Sequence, residues 1–136
     1  MPEHKRWLHV ARIDLLSAKG LLNLDLFTTA IYHCHQAAEK SLKAYLALKG
    51  RPIVKTHDLI ELVDSCKQFD ATFEKTYEAA KKLNPLATKF RYPTEFDMPN
   101  FEDTEQILKY AKTIYRFALK KTEEPDTGQG SLFDID

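Results

Sequence analysis

No stretch of the 136-residue chain approaches the ~20 apolar residues that a membrane span requires. The opening segment MPEHKRWLHVARIDLL carries charges where a secretory signal would need an unbroken apolar core, so a soluble protein is expected. Net charge is missing as well. Twenty basic and twenty acidic side chains cancel, so affinity for nucleic acid or a membrane surface has to come from a local patch rather than a global field. Cysteine is scarce: Cys34 and Cys66 fall on apolar stripes, where a free thiol behaves as a small hydrophobe. A chain of this length buries a core without staples, so an oxidised pair is possible but unnecessary and a reducing, cytoplasmic setting is expected. Glycine-rich phosphate loops, paired catalytic carboxylates and nucleophile-elbow motifs are all lacking, which argues against a self-contained nucleotidyltransferase or hydrolase.

What is present is helical periodicity. From Leu26 to Lys49, Phe27, Ile31, Cys34, Ala38, Leu42 and Tyr45 recur three or four residues apart, on one stripe of a helix. Ala30, Cys34, Ala37, Ala38 and Ser41 keep that surface shallow enough for a neighbour to approach closely, so this helix belongs in the middle of a bundle. A first helix is expected from Glu3 to about Lys19, with Trp7, Val10, Ala11, Ile13, Leu15 and Ala18 inward, Gly20 as its stop, and Asn23 or Asp25 capping the next helix. The short link makes these two helices antiparallel. Gly50, Arg51 and Pro52 end the central helix.

Thr56 is the expected cap of a third helix from His57 to about Gln68, placing His57 in its first turn. Asp70 can cap a fourth carrying Phe73, Tyr77, Ala80 and Leu83, and Asn84 with Pro85 kinks or restarts it. The segment TKFRYPTEFDMPNFED reads as an ordered aromatic loop, and a last amphipathic helix runs from Phe101 or Glu102 to about Lys121. The expectation is an all-α, four- to five-helix up-and-down bundle over residues 1–122, with a flexible acidic tail over 123–136.

The strings HQAAEKSLKAYLALKG, THDLIEL and RYP, in that order and spacing, resemble the HEPN family, in the branch of small stand-alone proteins associated with minimal nucleotidyltransferases. The resemblance implies a homodimer, a nucleotide or RNA ligand, a nucleotidyltransferase partner in a toxin–antitoxin-like pair or as its substrate-binding subunit, and no cofactor. Many members are metal-independent ribonucleases that use an Arg and a His a few residues apart. An imidazole can take the proton of a ribose 2′-hydroxyl while a guanidinium holds the phosphate. Arg51 and His57, with five residues between them, match that pattern and are the candidate catalytic pair. The match lies between the second and third helices, whereas the ribonuclease pair generally lies near the later helices, and Pro52 replaces the polar residue that commonly follows the Arg. A non-catalytic dimeric interaction module is the alternative.

His33, Gln36, Lys40 and Lys43 form a polar stripe on the central helix, either a phosphate-binding surface or an ordinary solvated or dimer-interface layer. Arg91 and Tyr92, extended by Pro93, can meet a phosphate or a neighbouring acid. His33 and His35 point in different directions on a helix, so no metal site is expected there. In the tail, Gln129, Leu132 and Phe133 resemble the peptide by which bacterial proteins dock on the DNA sliding clamp; folding back on the protein's own dimer, or remaining a disordered acidic tail, are the other readings.

Overall fold

The stripe of small side chains sets the architecture: Ala30, Cys34, Ala37, Ala38 and Ser41 are all buried. The computed structural model describes residues 1–52, 55–90 and 98–123. In order, its elements are α1 (Glu3–Asn23), α2 (Phe27–Leu48), α3 (Leu59–Lys67), a 3-10 segment (Ala71–Thr76), α4 (Tyr77–Leu83), the single-turn α5 (Leu86–Lys89) and α6 (Phe101–Thr122), with no strand among the described residues. The fold is an all-α bundle, and α2 lies at its centre, touching α1, α3, α4, α5 and α6. Ile31, Cys34, Ala38, Leu42 and Tyr45 are buried as the periodicity requires, and Phe27 is half-buried.

The α1–α2 seam is the most extensive helix pair. The two helices run antiparallel, since Trp7 near the start of α1 meets Lys43 late in α2 and Asp14 meets His33 and Lys40. Helix α6 runs with α2: Phe101 packs edge-on against Phe27 at one end, and Phe117 meets Phe73, which meets Tyr45, at the other. Helix α3 starts beside the middle of α2, and Cys66 in its last turn donates its thiol to the Leu42 carbonyl at 3.6 Å. Both cysteines are free and buried, and burial pushes each thiol up to about 12.

Several local expectations are corrected. Gly20 does not stop α1, which continues to Asn23, and a side chain there would meet nothing within 4 Å. The turn is made instead by Asp25 at φ 60, a left-handed conformation that Asp tolerates better than most residues, and α2 begins without a side-chain cap. Val10 and Ile13 of the supposed inner face are exposed, while Leu8, Leu22 and the acid Asp14 are buried. Thr56 does not cap α3. Asp58 does, its carboxylate accepting from the Ile60 and Glu61 amides while Asn84 donates to the same oxygen and accepts from Leu59 N–H. His57 therefore precedes the helix rather than lying in its first turn.

Gly50, at φ 73, ends α2 in the left-handed conformation that suits glycine, and its amide and that of Arg51 close on the Ala47 and Leu46 carbonyls. Asp70 caps the 3-10 segment, Pro85 precedes α5, and Asn100 caps α6. Arg91, Tyr92, Pro93 and the whole clamp-like tail lie outside the described residues.

Burial ranks the two helical stripes for stability. Leu42→Ala should cost ~2–5 kcal/mol in urea unfolding because it empties a fully buried site, whereas Val10→Ala, on the exposed face of α1, should cost under ~1 kcal/mol.

Candidate functional site

Two carboxylates are buried where α1, α2 and the approach to α3 meet, and each carries polar partners because an unpaired buried charge would be costly. Asp14, on α1, accepts from Lys40 Nζ at 2.7 Å through one oxygen and lies 2.8 Å from His33 Nδ1 through the other. Two members of the α2 polar stripe thus face α1 rather than solvent. Lys43, the third, is drawn to the second carboxylate, while Gln36 is half-buried.

That second carboxylate, Glu39, organises the neighbourhood. Its side chain is only 5% exposed; one oxygen accepts from Lys43 Nζ at 3.0 Å and the other lies 2.9 Å from His57 Nδ1. A carboxylate can only accept, so the proton between Glu39 and the imidazole belongs to Nδ1. In the neutral form of the His57 ring, which is 75% exposed, Nε2 is then the acceptor. The arrangement can take a proton from a bound group and return it, with Glu39 fixing both tautomer and orientation as the carboxylate of a catalytic triad does. Lys43 meanwhile stands 5.9 Å from the Trp7 ring centre, which ties the first turns of α1 to this group.

His35 supports the same corner from inside. It is 3% exposed, and its Nε2 has no partner among the described residues. Burial lowers its pKa below 6.5, the Glu39 charge opposes that shift, and His57 adds to it.

Arg51 does not reach this cluster directly. Its guanidinium donates to Gln68 Oε1 at 2.9 Å, just past the C-terminal end of α3, whereas His57 precedes the N-terminal end. Within one chain the candidate pair therefore engages different partners at opposite ends of a nine-residue helix, which spans ~14 Å. Arg51 does line a hollow with Trp7 and Lys43. Among the described residues, no group of three or more His, Cys, Asp or Glu could hold a metal ion, and no helix is long and apolar enough to cross a membrane.

Residues 4–122 match the HEPN domain. The chain belongs to the HEPN family. TT1696 from Thermus thermophilus shares 26% identity with this HEPN chain and superposes with a TM-score of 0.77 over 89% of this chain and 99% of that one. The archaeal HEPN homologue ST0689 shares 19% identity and the fold, at a TM-score of 0.72 over 90% of this chain and 100% of that one. No curated protein matches the chain.

Sequence reasoning named His57 and, from the i,i+4 spacing, the Glu39–Lys43 pair that the structure contains, but not the contact by which Glu39 orients the imidazole. Glu39 lies between Ala38 and Leu42 of the apolar stripe, and Asp14 sits among Ala11, Leu15 and Ala18. An acid on an otherwise apolar helical face was the signal available for both.

The buried His35 also sets a pH dependence. Its folded pKa lies below its unfolded value, so the unfolded chain binds more protons as pH falls from about 6.5, and stability must decline across that window. Urea midpoints measured between pH 7.5 and 5 should fall for the wild type and fall less for His35→Gln. Parallel curves would remove His35 from the effect.

Proposed function

We propose that this HEPN protein binds nucleotides or RNA as a homodimer beside a minimal nucleotidyltransferase, and that His57 serves as the acid–base group of a metal-independent ribonuclease. The observation that carries the reading is the exposed His57 ring held through Nδ1 by the buried Glu39 carboxylate. In this scheme Nε2 takes the 2′-hydroxyl proton, the freed oxygen attacks the neighbouring phosphorus, and the bond to the 5′-oxygen breaks. The products are a 2′,3′-cyclic phosphate and a 5′-hydroxyl, the leaving oxygen receiving the proton back from the imidazolium. A cation is needed for the developing charge on the phosphate, and Arg51 from this chain or its copy has the planar donor set for that work.

The second reading, a non-catalytic dimeric interaction module, draws on the distance between the two candidates along α3. If Arg51 remains committed to Gln68, the imidazole lacks its phosphate clamp.

Cleavage of single-stranded RNA in the presence of a chelator separates the two. His57→Ala should lower the rate by ~10²–10⁴-fold with helical circular dichroism unchanged, because the ring is exposed. Glu39→Gln should lower it by less, since the imidazole survives but loses the partner that fixes its tautomer. Absence of cleavage by the wild type, alone and with its nucleotidyltransferase, would leave the interaction module.

A further inference from the structure

Trp7 is the only tryptophan in the chain, and it is not spent on the core. It packs half-buried at the edge of the bundle, with the Lys43 ammonium 5.9 Å from its ring centre. It lines two hollows. One is formed with Glu3, Lys43, Leu46, Ala47, Arg51 and Pro52 at the end of α2. The other, about 280 Å³ and open to solvent, is lined by Glu3, Arg6, Trp7 and Val10. The second approaches the roughly 300 Å³ at which small-molecule sites begin.

The chemistry around the indole is specific. Arg6 and Arg51 supply two guanidiniums against the single carboxylate of Glu3, and Lys43 is neutralised by Glu39, so the patch is cationic although the chain is neutral. A flat aromatic ring beside guanidiniums suits a planar, electron-rich group joined to a phosphate: the ring stacks and the guanidiniums take the anion. An apolar peptide would leave those cations unanswered. The Trp7 ring, the Lys43 ammonium, the Glu39 carboxylate and the His57 imidazole also form a continuous series of contacts that links the indole to the candidate site through the buried Glu39.

We propose that Trp7 is the stacking platform for an unpaired base of single-stranded RNA, with Arg6 in one hollow and Arg51 in the other available to the backbone phosphates on either side of that base. The choice of RNA rests on the reading of His57 given above, while the platform rests on the indole and its cationic surround. Lys43 contributes by fixing the ring, which lowers the entropy a base must give up when it stacks.

Because there is no second tryptophan, the site reports on itself. Titrating the full-length protein with a short 2′-O-methyl ribo-oligonucleotide, which lacks the nucleophilic hydroxyl, should quench the tryptophan emission. By fluorescence anisotropy of the labelled oligonucleotide, Trp7→Ala should weaken binding about five- to a hundred-fold, and Trp7→Phe should recover most of the loss. Arg6→Glu, at an exposed position, should weaken binding without altering the helical circular dichroism. Oligonucleotide binding with no change in emission, or with equal affinity in Trp7→Ala and Arg6→Glu, would overturn the proposal, as would no binding at all. Trp7-dependent binding without RNA cleavage would sustain the platform and remove His57 catalysis. Cleavage that is indifferent to Trp7 would do the reverse.

Discussion

The pairing of the buried Glu39 carboxylate with Lys43 and His57 is the interaction on which the rest of the candidate site depends. A carboxylate at this depth persists only with both oxygens answered, and here one is answered from α2 itself and the other from the segment leading into α3. That demand gives the segment before α3 a fixed point beside the middle of α2, before Asp58 and Asn84 take over as the cap.

Close approach of α1 to α2 makes this possible. The antiparallel helices bring Asp14 against His33 and Lys40, and Trp7 against Lys43. Separating the helices would leave both acids facing water, with less reason to hold a histidine in one orientation. Packing and candidate chemistry are therefore consequences of the same helix pair.

Much of this was readable in the sequence. The periodicity of α2 and α6, the stop at Gly50 and the cap at Asp70 are local decisions made by a few neighbouring residues, and the folded chain keeps them. Gly20 misled because a glycine ends a helix only where the chain turns immediately after it: with no close neighbour, this one stays helical and the turn forms at Asp25. Thr56 and Asp58 are both competent caps, and the choice between them is made by Asn84, 26 residues after Asp58 and beyond the reach of a local reading. The link between His57 and Glu39 is likewise a tertiary contact, for which an acid on an apolar stripe is a hint but not an address. The spacing of Arg51 and His57 was legible; that a helix would run between their side chains was not.

The central claim is that Glu39 fixes the His57 tautomer, and nitrogen-15 NMR of the imidazole tests it most directly. In its neutral form the wild-type ring should carry its proton on Nδ1, leaving Nε2 bare, and Glu39→Gln should let the ring return to a mixture of tautomers. An Nε2–H tautomer in the wild type, or one unchanged by Glu39→Gln, would contradict the account.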